Sequence, residues 1–127
     1  LDIYPTIAEL SGAPVAPGID GISFKPVLDG KATKARAEMF FSYRDVQRAL
    51  RDERYKLIRY PQINVTQLFD VAADPYETKD LANDPAQTAR ITEMMSRLEK
   101  QQQHYTDTLP LTSPNPKPKE WTPPVRP

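Results

Sequence analysis

The sequence predicts an α+β fold in which a four-stranded antiparallel sheet packs against a long C-terminal helix. Four short runs rich in β-branched and aromatic residues lie between residues 39 and 71, and turn-forming residues separate them. One amphipathic segment of helical length follows between residues 85 and 104. The chain has 127 residues, the size of one domain, so we expect one main core.

A first helix is predicted to start at Asp2 and to end at Gly12. Asp2 is a favourable N-cap, and Ile3, Ile7 and Leu10 follow at helical spacing. Isolated helices shorter than roughly 12–15 residues are marginal in water, so this helix must pack against another element. Because the chain opens directly on this pattern and without methionine, we expect it to be a piece of a longer protein.

The next segment predicts a loop, a short helix and an exposed connection. Prolines and glycines interrupt residues 13–23. Ser23 can cap a helix over residues 24–28, which Gly30 ends. Residues 31–37 carry two lysines and an arginine and are expected to be exposed.

Four strands are predicted over residues 39–43, 46–51, 54–60 and 67–71. The second and third are separated by two residues only, which is typical of a hairpin. Asn64 fits a turn before the fourth strand. The sequon that begins at Asn64 would matter only if the protein were glycosylated.

The longest helix is predicted over residues 85–104. Asp84 supplies a cap and Pro85 suits the first helical position. Its apolar stripe consists of Ile91, Met94, Met95, Leu98 and Tyr105. We expect this stripe to cover one face of the sheet.

The end of the chain is rich in proline. Of the 14 prolines, 7 fall within residues 110–127. We therefore expect an extended, polyproline-like tail over residues 106–127, which Trp121 pins to the folded body.

The charge balance argues against two classes of partner. Lysine and arginine number 17, and aspartate and glutamate also number 17, so no basic field exists to attract nucleic acid or an anionic membrane. No apolar run approaches the length of a membrane span. The chain has no cysteine, which excludes disulfides, thiolate nucleophiles and Cys-ligated zinc.

Few side chains offer catalytic or metal-binding chemistry. His104 is the only histidine, and we expect it to be a solvated residue at a helix end. Four acids lie close together in sequence without the spacing of a calcium loop: Asp70, Asp74, Glu77 and Asp80. Turn and cap roles explain them better, so we predict no catalytic and no metal-binding residue in this chain.

Arginines are the best candidates for binding an anion. Five lie on or beside the predicted sheet: Arg44, Arg48, Arg51, Arg54 and Arg59. Guanidinium groups bind sulfate, phosphate or carboxylate through paired hydrogen bonds, although a solvated strand face is the simpler interpretation. Arg44 and Arg48 flank the strand break after Tyr43, where a loop can reach a pocket. They are therefore the predicted substrate-binding residues.

Two stretches of the chain resemble type I sulfatases. Residues 2–12, 18–23 and 26–28 resemble the segment that closes the large catalytic domain of this family. Residues 48–58, 67–77 and 80–82 resemble the smaller C-terminal domain of the same family, in the same order and spacing. The resemblance covers residues 1 to about 100.

The resemblance implies three parts of an alkaline-phosphatase-like enzyme. Residues 1–37 would be the terminal segment of the catalytic domain and a linker, with the first helix at that domain's edge. Residues 38–105 would be the C-terminal subdomain, a four-stranded antiparallel sheet with a packed helix. Residues 106–127 would be the proline-rich tail.

The resemblance also implies hydrolysis of sulfate esters by a formylglycine hydrate beside a calcium ion. The family makes formylglycine from Cys or Ser in a Cys/Ser-x-Pro-x-Arg motif, which this chain lacks. Residues 122–126 share the spacing, but Thr122 cannot yield the aldehyde. The missing catalytic domain is therefore the implied partner, and this chain alone is expected to be inactive. A periplasmic or secreted location is suggested by the resemblance only.

Two alternatives remain open. The same architecture occurs in related phosphodiesterases and phosphonate hydrolases. A noncatalytic binding module could instead recruit a partner through its proline-rich tail. The sequence upstream of this chain separates the three interpretations, because a Cys/Ser-x-Pro-x-Arg motif selects a sulfatase.

Overall fold

The computed structural model describes residues 1–120. In it, the chain between residues 39 and 70 forms a meander of four antiparallel strands. The strands are β1 (Met39–Tyr43), β2 (Gln47–Arg51), β3 (Tyr55–Tyr60) and β4 (Val65–Asp70), paired in that order. The prediction of a four-stranded antiparallel sheet is confirmed. Predicted and observed strand ends differ by at most two residues.

The helices are α1 (Ile3–Ser11), α2 (Lys25–Leu28) and α3 (Thr88–His104). Short 3₁₀ turns occupy Pro61–Ile63 and Pro85–Gln87. Asp84 caps the second of these turns by accepting a hydrogen bond from the backbone of Ala86 at 2.9 Å. None of the helices within residues 1–120 is long and apolar enough to cross a membrane.

The main core lies between α3 and one face of the sheet. Leu50 of β2 pairs with Leu57 of β3, and Leu57 pairs with Leu68 of β4, so three leucines form a row across the sheet. Met94 and Leu98 of α3 are buried against that row. Ile91 and Met95 are only partly buried at the margin of the core, and Tyr105 stacks on Phe40 of β1 at 5.5 Å. The predicted stripe is therefore the packed face of the helix, and its centre is at Met94 and Leu98.

Replacing Leu98 by Ala is expected to lower the free energy of unfolding by about 2–5 kcal/mol, because the side chain is fully buried and its removal leaves a cavity. Thermal unfolding of the two proteins measures the effect. Leu28→Ala is the matched control, since Leu28 is exposed on α2. Equal midpoints for the wild type and Leu98→Ala would contradict the assigned helix face.

The second face of the sheet is also apolar. Because neighbouring residues in a strand point to opposite faces, Met39, Phe41 and Tyr43 lie on the face away from α3. These three side chains of the edge strand β1, the β1 apolar row, are between 41% and 56% exposed. Next to them in the sheet, Ala49 and Ile58 belong to a second buried cluster.

Residues Leu1–Ala37 form a compact unit separate from the unit that begins at Glu38. The N-cap prediction for Asp2 is wrong in its detail. The Asp2 carboxylate makes no capping bond to α1; it accepts hydrogen bonds from the backbone of Ile22 and from Arg36. A carboxylate next to an arginine gains more from that pair than from a neutral cap. Gly12 does end α1, in the left-handed conformation (φ 75°) that favours glycine.

The apolar stripe of α1 faces solvent within this unit. Ile3, Ile7 and Leu10 are between 55% and 67% exposed, while Thr6 and Ala8 are buried. Thr6 accepts a hydrogen bond from the backbone of Phe24 and so ties α1 to the loop before α2. The buried side of α1 therefore carries the polar contact of Thr6, and its large apolar residues lie on the exposed side.

Residues 106–117, which we term the strap, cross the end of the sheet. Leu111 is buried in the main core next to Leu57 and Leu98. Within residues 1–120, Leu111 is therefore the apolar residue of this segment that is buried in the core. Trp121, which we predicted for that role, lies outside the described residues, as do residues 122–126.

Candidate functional site

Arg48 lies on the helix side of β2 and is almost completely buried, with 3% of its surface exposed. Its guanidinium pairs with both carboxylate oxygens of Asp107 in the strap. The remaining donors reach backbone oxygens, of Arg44 and, at 2.9 Å, of Gln47. Arg48 therefore links the strap to the turn between β1 and β2.

Asp107 is held by several donors besides Arg48. Gln102 of α3 donates to its carboxylate at 3.3 Å, and the backbone of Leu109 donates at 3.2 Å. Hydrogen bonds from Arg48, opposed in part by burial, hold the pKa of Asp107 below its ordinary value of 3.8. Asp107 is therefore ionised at neutral pH and balances the buried charge of Arg48.

Arg44 occupies the turn between β1 and β2, on the surface. Its φ of 47° is in the left-handed region, which is uncommon for a residue other than glycine. The guanidinium lies 5.6 Å from the centre of the Tyr43 ring. Arg44 thus presents an exposed cation at the end of the sheet, while its own carbonyl is bound by Arg48. The substrate-binding role of Arg44 and Arg48 stays a prediction, and the two residues occupy different environments.

Arg59 is a second buried arginine, and it pairs with Arg48 on the neighbouring strand. Its guanidinium donates to three oxygens: Leu111 O at 2.7 Å, Asn64 Oδ1 at 3.0 Å and Thr66 Oγ1 at 3.1 Å. Burial lowers the pKa of Arg59 from its ordinary value. Arg59 therefore serves to hold the strap and the turn before β4.

Asn64, the first residue of the sequon, has a structural role. It adopts a left-handed conformation (φ 53°) after the Pro61–Ile63 turn. Its carboxamide donates to the carbonyl of Ser113 at 2.8 Å and accepts from the backbone of Ser113 at 3.0 Å.

Sequence reasoning did not find the strap partners Asp107, Leu111 and Ser113. They lie in a proline-rich stretch whose composition is that of a free tail. The one available signal is the pair Leu109 and Leu111, two large apolar residues on either side of Pro110 that a solvated tail does not need.

A cleft of about 300 Å³ lies beside the Arg44 turn. Asp45, Pro61 and Gln62 form one wall, and residues of the strap form the other. Gln62 connects the two walls, because its carboxamide accepts a hydrogen bond from the Lys117 ammonium of the strap at 2.9 Å. The same carboxamide donates to Asp45 within its own wall. The volume is at the lower end of that of small-ligand sites.

Three of the four clustered acids, Asp70, Asp74 and Asp80, accept hydrogen bonds from backbone amides, as expected of turn and cap residues, whereas Glu77 makes an ion pair. Asp70 pairs with Arg54 and Glu77 with Lys56. Asp74 accepts from the backbone of Lys79, and Asp80 from that of Leu68. The remaining candidates are peripheral, since Arg51 is exposed on β2 and His104 is exposed at the end of α3.

Calcium does not fit the described residues. Within residues 1–120, no group of three or more histidine, aspartate or glutamate side chains converges on one point. The acids that lie close in sequence use their oxygens on backbone amides and cations instead. In the described part of the chain, the arrangement presents an exposed guanidinium at Arg44 and no metal ligand set.

Known proteins resemble this chain over most of its length. The family described as N-sulphoglucosamine sulphohydrolase, C-terminal, matches residues 1–104. A Delta 4,5-hexuronate-2-O-sulfatase of Bacteroides thetaiotaomicron is 34% identical over 107 residues, which cover 78% of this chain and 22% of the relative. An N-acetylglucosamine-6-O-sulfatase of the same organism is 30% identical over 122 residues, which cover 87% and 22%. The chain thus spans about a fifth of these relatives.

Solved structures give the same picture. A 2-O GAG sulfatase superposes with a TM-score of 0.74 and 31% identity, covering 84% of this chain and 25% of that chain. A phosphonate monoester hydrolase of Agrobacterium radiobacter superposes with a TM-score of 0.57 and 26% identity, covering 79% and 24%.

Proposed function

This chain belongs to the family of N-sulphoglucosamine sulphohydrolase C-terminal domains, and from that premise we propose that it is the C-terminal part of an enzyme that hydrolyses sulfate esters. The family match over residues 1–104 carries the proposed activity. The sulfate ester is proposed as the substrate of the whole enzyme, of which this chain supplies a minor share of the length.

The proposed role of this chain within that enzyme is to support the catalytic domain. One observation, made on each compact unit by itself, carries it: large apolar side chains are exposed on the outer stripe of α1 and, in the second unit, in the β1 apolar row. Contiguous exposed apolar surface marks interaction sites in soluble proteins. The proposed occupant of both surfaces is the catalytic domain, because the relatives are several times longer than this chain.

The catalytic groups are proposed to belong to that domain. A formylglycine hydrate would supply the attacking oxygen and calcium would offset the charge of the sulfate oxygens. The residues of this chain have a different task. Arg44 is proposed to bind an anionic group of the substrate next to the cleft that Asp45, the following residue, lines, and the buried Arg48 is proposed to hold the carbonyl of Arg44.

The test is steady-state kinetics of the full-length enzyme with Arg44→Ala. If Arg44 binds the substrate equally in the ground state and the transition state, KM rises and kcat is nearly unchanged. A charged hydrogen bond is worth about 1.5–3 kcal/mol, so kcat/KM is expected to fall roughly ten- to a hundredfold or slightly more.

Arg54→Ala is the matched control, because Arg54 is an exposed arginine at the opposite end of the sheet and pairs with Asp70. Unchanged kinetics for Arg44→Ala would remove the substrate role of this turn. A full-length protein that hydrolyses no sulfate ester would refute the proposed activity itself.

A second candidate is a phosphonate monoester hydrolase. It is favoured by the superposition on the Agrobacterium radiobacter enzyme, which has the same fold at 26% identity. Both substrate classes are anionic esters, so Arg44 would serve either. Parallel assays of the full-length protein with a sulfate ester and a phosphonate monoester separate the two candidates by the ratio of kcat/KM values.

A further inference from the structure

We infer that the strap, residues 106–117, positions the turn that carries Arg44, and that Asp107 and Arg48 set the geometry of substrate binding without touching the substrate. The strap lies beyond residues 1–104, which the family model matches. The inference rests on the proposed substrate role of Arg44, but its structural part is testable without it.

The strap is fixed along its whole length. Arg48 binds its start at Asp107, and Gln102 of α3 donates to the Leu109 carbonyl at 3.0 Å. Its middle is held by the buried side chain of Leu111 and by Arg59. The remaining anchors are Asn64 with Ser113, and Gln62 with Lys117. Such a segment has little freedom left and can act as a rigid support.

The start of the strap reaches the turn through a single side chain. Asp107 orients the guanidinium of Arg48 from one side, and the opposite edge of that guanidinium donates to the carbonyl of Arg44. Arg44 has a positive φ, a conformation that persists in residues other than glycine only where the surroundings impose it. The hydrogen bond from Arg48 is such a constraint.

The end of the strap reaches the same turn by a separate route. The backbone of Lys117 donates to the carbonyl of Gln62 at 2.8 Å, and its ammonium donates to the Gln62 side chain. The amide nitrogen of Gln62 then donates to the carboxylate of Asp45, the residue after Arg44. Two independent contacts therefore converge on adjacent residues of one turn.

These contacts predict that the effects of Asp107 and Arg44 on KM are coupled, which a merely structural ion pair would not produce. If Asp107 acts on the substrate through Arg44, its loss matters only while Arg44 is present. A double-mutant cycle of Asp107→Asn and Arg44→Ala measures this directly. Asp107→Asn keeps the size of the side chain, and Gln62→Ala breaks the second route while leaving the ion pair intact.

The experiment uses the full-length enzyme and two measurements. For Asp107→Asn and for Gln62→Ala we expect KM to rise by roughly three- to thirtyfold with kcat nearly unchanged, the range of one weakened charged contact. Amide exchange over residues 44–46 should accelerate, while exchange over β3 stays as in the wild type. The double variant Asp107→Asn/Arg44→Ala should have the KM of Arg44→Ala alone. Asp70→Asn is the control, at the far end of the sheet.

Unaltered exchange over residues 44–46 in both Asp107→Asn and Gln62→Ala would overturn the inference, and so would additive effects on KM in the double variant. If the full-length protein hydrolysed no ester, the proposed function would fail by itself. The exchange measurement would then still decide whether the strap fixes the turn.

Discussion

The 127-residue chain on its own is expected to hydrolyse no aryl sulfate, whereas turnover is expected of the full-length enzyme under the proposed function. Sulfatase chemistry needs an activated nucleophile and a group that stabilises the charge on the sulfate oxygens. The chain has no cysteine, and none of its serines is followed by the x-Pro-x-Arg residues of the formylglycine motif. Its one histidine is at the end of a helix. The difference in rate should therefore be the whole enzymatic acceleration, on the order of a millionfold or more.

The measurement compares the purified chain with the full-length enzyme on one chromogenic substrate in calcium-containing buffer. Gel filtration before the assay removes contaminating hydrolases of other sizes. Turnover that stays with the 127-residue protein through this step would show that the nucleophile lies within this chain.

Replacing Arg48 by Ala is expected to lower the free energy of unfolding by about 3–5 kcal/mol, the usual loss when one partner of a buried ion pair is removed. The change removes the Arg48 donors from the carbonyls of Arg44 and Gln47 and from the Asp107 carboxylate, which loses its only cation within residues 1–120 and keeps the hydrogen bonds from Gln102 and Leu109. Arg44→Ala is the matched control. Arg44 is an exposed arginine four residues away, and its loss should change the free energy of unfolding by less than about 0.5 kcal/mol.

The pH dependence of unfolding gives the same pair a second test. The folded-state pKa of Asp107 is below 3.8, mainly because Arg48 donates to its carboxylate. Its contribution to stability is therefore complete above the unfolded pKa and is lost as the pH falls through the folded value. The difference in stability between wild type and Arg48→Ala should narrow between pH 5 and pH 2. A constant difference across that range, or equal stabilities of Arg48→Ala and Arg44→Ala, would contradict the ion pair.

Local patterns determined most of the fold. The strands were found because runs of β-branched and aromatic residues between turn-forming residues favour strands, and α3 was found because its apolar stripe repeats at helical spacing. Asp84 and Gly12 marked helix ends correctly, since caps act on backbone groups within a few residues. Asp2 was assigned to the wrong partner, because the competing donor Arg36 is distant in sequence.

The candidate site was only partly determined by the sequence. The break after Tyr43 and the arginines beside it were visible in the sequence, because a strand end and a charge are both local properties. The tertiary structure alone decided that Arg48 points into the protein and Arg44 out of it. It also brought Asp107 to Arg48 across 59 positions of the chain. Such a pair forms because a nearby carboxylate offsets the cost of burying a guanidinium, and nothing in the sequence near either residue specifies which carboxylate that is.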